Sequence, residues 1–156
     1  MEIILQDMGH ASLHLVGRYL PREGLVYDSN VALIQANQEY ELDAISFIPP
    51  DFNFNRWRSK PVSQPKVFHR RENFQTVKLD DGDDFVRGIW AKGRAMASYV
   101  SFNLPQRRSD MTLNILTDFN CYSGAIACSY EMGFTLEGLR GDAGTKYDFS
   151  QIGLDF

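Results

Sequence analysis

Histidine and serine side chains in the first fifteen residues have the chemistry that catalysis or metal binding requires. His10, Ser12 and His14 follow one another at every second position. On a helix, His10 and His14 would share one face as a metal-binding pair. The intervening apolar residues instead predict a half-buried strand with a polar, exposed outer face. His10-Ala-Ser12 also matches one histidine–x–serine step of the two-histidine phosphoesterases, but the sequence has no second step. We therefore predict no catalytic site here.

The chain has two cysteines, Cys121 and Cys128. They are seven positions apart, which is not the Cys-x-x-Cys spacing of redox and zinc sites, and no zinc-finger partners are nearby. Two cysteines form no disulfide framework, so both are expected to be reduced, small and semi-buried. The sequence predicts no metal site and no cofactor.

Other catalytic motifs are also absent. The acidic turn at 80–84 resembles the start of a calcium loop, but position 12 counted from Asp80 is Ala91 rather than glutamate. Neither the phosphate-binding glycine patterns nor the Gly-x-Ser-x-Gly elbow of hydrolases occurs in the sequence. We therefore predict a non-catalytic protein. An enzyme with an acidic cleft is a third hypothesis, which converging carboxylates with perturbed pKa values would favour.

Residues 49–66 hold four of the six prolines and predict a long irregular loop. Across 52–71, aromatic residues interleave with basic ones, among them Arg56, Trp57 and Arg58. Aromatic rings stack on bases or fill protein hot spots, and arginines pair with phosphate or carboxylate. Three interpretations stay open: a core-anchored loop whose cations pair with flanking acids, a protein-binding segment, or a site for single-stranded nucleic acid.

The length and the charge of the chain restrict the number of domains and the possible classes of protein. A chain of 156 residues with a net charge of −4 predicts one domain, 1–156, and disfavours a generic nucleic-acid-coating protein. The charge is segmented, at −6, +6, −4, +5 and −5 over residues 1–51, 52–71, 72–84, 85–108 and 109–156. The acidic last segment predicts a partner-binding surface. Its candidate residues are Asp118, Glu131, Glu137, Asp142 and Asp148.

The sequence contains no run of 18 apolar residues and begins without a signal-peptide pattern. We therefore expect a cytoplasmic protein with no membrane partner.

The elements that must position these residues indicate an α+β domain. Apolar or alternating stretches predict strands at 1–5, 11–16, 67–79 and 111–119. Residues 24–35 suggest a hairpin, although 31–42 could instead be a helix. The sequence does not decide the secondary structure of residues 125–130, or whether 134–139 are a short helix or a strand. One principal helix is predicted at about 84–101. Its apolar stripe consists of Phe85, Ile89, Met96 and Val100, and Val86, Trp90, Ala97 and Tyr99 flank the stripe. Asp83 or Asp84 is its predicted N-cap, and Gly88 and Gly93 are expected to admit a close neighbour. The apolar C-terminal run is expected to join a mostly antiparallel sheet.

Several segments of the last third resemble the ending of small bacterial α+β immunity proteins, which are encoded beside polymorphic toxins. The matching text is Tyr122-Ser-Gly-Ala, the run from Phe134 to Leu139, and Tyr147-Asp-Phe with the closing Leu-Asp-Phe. The resemblance implies a protein that acts by binding and carries over no catalytic residue.

We therefore predict an immunity or antitoxin protein that binds and occludes a toxin through its acidic surface, with a nuclease as the favoured toxin class. The alternative is a phage or accessory protein that binds single-stranded nucleic acid through residues 52–71.

Overall fold

The computed structural model describes residues 1–18, 39–48, 58–59, 66–70, 74–78, 82–104, 114–136, 139 and 142–156. Its strands are β1 (Glu2–Asp7), β2 (Ala11–Arg18), β3 (Glu39–Ile45), β4 (Phe47–Ile48), β5 (Arg58–Ser59), β6 (Lys66–Val67) and β7 (Phe74–Lys78). Its helices are α1 (Asp83–Asn103), α2 (Cys121–Glu131) and a short 3-10 helix (Phe149–Ile152). The predicted α+β class is confirmed.

The main sheet runs in the order β6-β3-β2-β1-β7, and each neighbouring pair is antiparallel. β2 lies at its centre, with Leu13 opposite both Leu5 of β1 and Ile45 of β3. Because strand side chains alternate between faces, Ala11, Leu13 and Leu15 all enter the main core, as the sequence predicted. β4 and β5 form a separate antiparallel pair.

The predicted principal helix is present as α1, but its most buried face is shifted toward residues predicted to flank the stripe, while Ile89 and Met96 pack partly buried against the core. The buried side chains are those of Val86, Trp90, Ala97 and Val100. Phe85, which was placed on the stripe, is exposed. The indole N–H of Trp90 donates to Asp43 Oδ2 on β3 at 2.8 Å, which fixes the face that α1 turns inward.

The start of α1 also departs from expectation. Gly82 is the N-cap, with a φ of 93°, so the prediction of Asp83 or Asp84 is wrong. Among the side chains that the structure describes, none caps this helix. Close approach is confirmed at Gly93, where a Cβ would lie 2.6 Å from Met132 Sδ. It is wrong at Gly88, where a Cβ would have no neighbour within 4 Å.

The C-terminal third folds differently from the prediction. The expected strand at 111–119 is wrong over its described part, because Asn114 N–H donates to the Asp118 carboxylate at 2.6 Å and closes a turn. Residues 125–130, whose secondary structure the sequence did not decide, belong to α2. Residues 134–136 form neither helix nor strand. The C-terminal run does not join the sheet: it forms the 3-10 helix, which buries Ile152 in the main core.

The sheet packs against α2 as well as α1. α2 contacts β2 and β4, and a Cβ at Gly124 would lie 2.1 Å from the ring of Phe47. Only a glycine allows the backbone of α2 to approach β4 this closely. The first turn of α2 lies at the start of β2, where Cys121 contacts Ala11.

The opposite face of the sheet is covered by the crossover segment Phe68–Arg70. β6 and β7 lie at opposite edges, so the chain between them must cross the sheet. Phe68 packs on Ile4 and Val16, and Arg70 donates to Glu39 of β3 and Glu2 of β1, the strands on either side of β2. Both faces of the central strands are therefore buried.

Of the predicted loop 49–66, the described residues are those of β5 and Lys66, the first residue of β6. The remaining loop residues, including Arg56 and Trp57, lie outside the described residues, as does the hairpin suggested at 24–35. Residues 39–42, for which a helix was an alternative, belong to β3.

Candidate active site

The start of α2 meets the turn that joins β1 to β2. The backbone N–H of Ala11 donates to Cys121 Sγ at 3.4 Å, and the Tyr122 hydroxyl donates to Asp7 Oδ1 at 2.8 Å. The turn passes through Gly9, whose φ of 86° favours glycine. The Asp7 carboxylate also accepts the Gly9 N–H at 3.3 Å. These contacts hold the cysteine beside the residue that precedes Ala11, which is His10.

Cys121 is the first residue of α2. Asn120 caps the helix, because its Oδ1 accepts the N–H groups of Tyr122 and Ser123 at 2.9 and 3.1 Å. The Asn120 amide also donates to the Ile115 carbonyl at 2.7 Å, which anchors the cap to the preceding turn. A thiol at this position lies at the positive end of the helix dipole, where a developing negative charge is stabilised.

The backbone of His10 lies near the thiol, and its imidazole contacts Ser46. Its Nε2 is 2.6 Å from Ser46 Oγ, just after β3. Two covalent bonds join the His10 Cα to the Ala11 nitrogen, so Cys121 Sγ lies within about 6 Å of that Cα. When Ser46 accepts the Nε2 proton, Nδ1 keeps a free lone pair. The turn and the start of α2 thus supply a thiol, an imidazole and a hydroxyl that contacts the imidazole, which are the group types of an activated nucleophile.

Both members of the pair are neutral at rest. Burial raises the pKa of the Cys121 thiol, and the Asp7 carboxylate adds to the increase, while hydrogen bonds from the Ala11, Tyr122 and Cys121 backbone oppose it. Desolvation lowers the pKa of His10, although the residue as a whole stays exposed, and the positive charge of His14 lowers it further. A neutral imidazole is the form that accepts a proton from a neutral thiol.

The second cysteine has a different environment. Cys128 is fully buried in the main core, and burial raises the pKa of its thiol to about 12. The prediction of a small buried side chain fits Cys128. Cys121 is half-buried and lies at a helix start, in contact with the Ala11 N–H.

A second polar cluster lies on the outer face of β2 and β3. Ser12 Oγ is 2.7 Å from His14 Nε2, and His14 Nδ1 is 2.9 Å from Glu41 Oε2. All three residues are buried, and the ring of Phe68 lies over His14 at a centroid distance of 5.4 Å. The predicted strand is confirmed, but its exposed polar face is wrong at Ser12 and His14, because the crossover segment covers them.

The predicted partner-binding acids occupy separate local structures. Asp118 closes the turn before α2, and Asp148 caps the 3-10 helix. Asp142 is exposed in a left-handed conformation with a φ of 55°, and Glu131 is exposed at the last residue of α2. α2 is 11 residues long, which places Glu131 about 15 Å from the helix start.

The remaining candidates are only partly described. Arg58 lies opposite Ile48 in the β4–β5 pair. Glu137, Arg56 and Trp57 lie outside the described residues. The role of all eight candidates in binding a partner stays a prediction.

Sequence reasoning missed the approach of Cys121 to the turn that carries His10, because it depends on the Ala11–Cys121 contact across 110 positions of the chain. One local signal was available. Asn120 directly precedes Cys121 and the apolar run after it, and asparagine is among the strongest N-cap residues. Assigning a helix there would have placed the thiol in its first turn.

Among the residues that the structure describes, no three His, Cys, Asp or Glu side chains gather as a metal site. None of the described helices is both long and apolar enough to cross a bilayer. Comparison of the chain with protein-family models, curated proteins and solved structures finds no match in any of the three.

Proposed function

We propose that the protein is a cysteine-dependent acyl-transfer enzyme that acts on an ester or amide carbonyl. Cys121 is the nucleophile, His10 is the base, and Ser46 orients the imidazole. The observation that carries the proposal is the Ala11 N–H contact with Cys121 Sγ, which holds a helix-start thiol within about 6 Å of the His10 Cα. The proposal departs from the non-catalytic prediction because that prediction rested on local motifs.

In the proposed reaction, His10 Nδ1 takes the thiol proton as Sγ attacks the substrate carbonyl and a carbon–sulfur bond forms. The positive end of α2 stabilises the charge that develops on the carbonyl oxygen. The imidazolium then gives its proton to the leaving alcohol or amine, and the acyl group stays on Cys121 as a thioester. Water or another nucleophile releases the acyl group and restores the thiol.

The same geometry disfavours dithiol redox chemistry. The chain has only two cysteines, and Cys128 lies seven residues after Cys121 on the same helix. At a rise of 1.5 Å per residue, their Cα atoms are about 10 Å apart, whereas a disulfide needs less than about 7 Å.

The test is acylation by p-nitrophenyl acetate, followed by release of p-nitrophenol and by the mass of the protein. The wild type and Cys128→Ala should gain one acetyl group on Cys121, and Cys121→Ala should gain none there. His10→Gln should acylate about 100-fold more slowly, a typical contribution of general-base catalysis. Acylation of Cys121 at the same rate in His10→Gln would overturn the proposal.

A second candidate is the predicted binding function, in which the protein occludes a toxin. The exposed rings of Tyr130 and Phe156 contact each other at a centroid distance of 4.2 Å, and exposed Glu131 adjoins Tyr130. Aromatic side chains with acidic neighbours suit a basic protein partner.

Co-expression with the product of a neighbouring toxic gene distinguishes this candidate from the enzyme. An immunity protein should restore growth as wild type and as Cys121→Ala, and the Tyr130→Ala/Glu131→Gln variant should restore less. Growth that depends on Cys121 would contradict simple occlusion.

A further inference from the structure

We infer that Ser12, His14 and Glu41 form a second reactive site, in which a serine nucleophile, its base and a positioning carboxylate act on esters that carry an apolar group. The inference goes beyond the proposed function, because the reaction at Cys121 uses none of these three side chains. It departs from the sequence-based prediction of no catalytic site around Ser12, which considered neighbouring residues alone.

The three side chains are hydrogen-bonded in the order that a serine triad requires. Ser12 Oγ is 2.7 Å from His14 Nε2, and His14 Nδ1 is 2.9 Å from Glu41 Oε2. A carboxylate only accepts hydrogen bonds, so in neutral His14 the Nδ1 proton points to Glu41 and Nε2 accepts the hydroxyl proton of Ser12. The same groups, joined through the same two ring nitrogens, activate the nucleophile of serine hydrolases on unrelated folds.

Two neighbouring strands build this order. Ser12 and His14 are two positions apart on β2, so their side chains are on the same face, as is that of Val16. Glu41 is directly opposite Val16 on β3 and therefore shares that face. His14 is thus a diagonal neighbour of Glu41, which a long side chain can reach.

In the inferred reaction, His14 Nε2 takes the hydroxyl proton as Ser12 Oγ attacks the ester carbonyl and a carbon–oxygen bond forms. Glu41 stabilises the imidazolium. The imidazolium gives its proton to the leaving alcohol as the bond from that alcohol to the carbonyl carbon breaks, and the acyl group stays on Ser12. Water, deprotonated by His14, then releases the acid. Gln6 is directly opposite Ser12 on β1, so its amide is the candidate donor to the carbonyl oxygen.

The crossover segment restricts access to Ser12 and favours one class of ester. The ring of Phe68 lies over His14 and packs on Ile4 and Val16. Ser12 is only 9% exposed, so part of this cover must move before a carbonyl reaches the hydroxyl. An apolar group that replaces the ring regains its contacts with Ile4 and Val16. The substrate is therefore an ester with an apolar acyl or alcohol group.

The anchors of the crossover segment lie at the other end of the cluster. Arg70 donates to Glu39 and Glu2. Glu2 is opposite Val16, and Ser12 is four residues before Val16, about 13 Å along the strand. Displacement of the Phe68 ring therefore does not require these hydrogen bonds to break.

The experiment uses the Cys121→Ala variant, in which the thiol cannot contribute, and diisopropyl fluorophosphate at about pH 8.5, where an ordinary imidazole is neutral. Intact mass and peptide mapping should find one diisopropylphosphoryl group on Ser12 and none on Ser98, which is exposed on α1. Adding Phe68→Ala should speed the labelling of Ser12 severalfold.

Further variants in the same Cys121→Ala background test the base and the carboxylate. His14→Gln should slow the labelling of Ser12 about 100-fold, a typical contribution of a general base. Glu41→Gln keeps a hydrogen-bonding side chain but removes the charge that stabilises the imidazolium. It should lower kcat for p-nitrophenyl hexanoate and leave KM nearly unchanged, which loss of a merely structural contact would not do. Glu131→Gln, at the end of α2, is the matched control and should change neither constant.

Two results would overturn the inference. The first is the absence of a Ser12 adduct both in Cys121→Ala and in Cys121→Ala/Phe68→Ala. The second is labelling of Ser12 at an unchanged rate in folded Cys121→Ala/His14→Gln. Neither result involves acylation of Cys121, so failure of the proposed function is distinguished from failure of this inference.

Discussion

The backbone N–H of Ala11 and the sulfur of Cys121 form a hydrogen bond of 3.4 Å that joins the first residue of β2 to the first residue of α2. The contact links the sheet, which supplies His10, to the helix, which supplies the thiol. A substitution that destabilises the start of α2 or the turn before β2 should therefore also displace groups of the candidate active site.

Thiol reactivity should differ sharply between the two cysteines. With iodoacetamide at pH 7–9 we expect peptide mapping to find label on Cys121 and none on Cys128, whose pKa of about 12 and burial keep it protonated and inaccessible. Burial raises the pKa of Cys121, so its labelling rate should still increase with pH above the range of an ordinary thiol. A Cys121 labelling rate that reaches a plateau below pH 8 would contradict this. The control is urea-unfolded protein, in which both cysteines should be labelled.

Removal of the helix cap should destabilise the fold. In Asn120→Ala, two N–H groups in the first turn of α2 and the Ile115 carbonyl lose their side-chain partner. We expect a loss of about 1–2 kcal/mol in the free energy of unfolding, measured in urea. Asn120→Ser, which keeps a capping oxygen, should recover part of the loss. An Asn120→Ala variant as stable as wild type would show that the cap is dispensable.

Two glycines should respond oppositely to alanine. In Gly124→Ala, the new methyl group would lie 2.1 Å from Phe47, so overpacking should cost about 1–3 kcal/mol. In Gly88→Ala, the methyl group meets open space on an exposed helix face, so the variant should gain about 0.5–1 kcal/mol. Urea unfolding of both variants checks the pair, and equal effects would show that α2 does not pack on β4 as described.

The crossover segment should depend on Arg70. Its guanidinium donates to Glu39 at two positions, both 2.7 Å, and to Glu2 at 2.5 Å. In Arg70→Gln, two partly buried carboxylates lose these hydrogen bonds, and we expect a loss of about 1–3 kcal/mol in the free energy of unfolding. Arg87→Gln, on the exposed face of α1, should stay within about 0.5 kcal/mol of wild type. Equal stability of Arg70→Gln and Arg87→Gln would contradict the role assigned to Arg70.

Local patterns predicted the first two strands and the principal helix, because alternation and the helical repeat are properties of neighbouring residues. They failed at 111–119, where the side chains of Asn114 and Asp118 bind backbone groups and close a turn within an apolar stretch. They also failed for the outer face of β2, since Ser12 and His14 are covered by residues more than fifty positions later. The candidate site could not be predicted from local patterns for the same reason, because His10 and Cys121 are far apart in the sequence.

An antiparallel sheet commonly leaves one face to water, and substitutions on that face are usually tolerated. In this protein α1 and α2 lie on one side of β2 and the crossover segment lies on the other. Neither face of this central strand is therefore expected to tolerate substitutions. A mutational scan along β2 should accordingly lack the every-second-residue tolerance of a surface strand. Ser12 and His14, polar in type, should rank with Leu13 among the least replaceable positions.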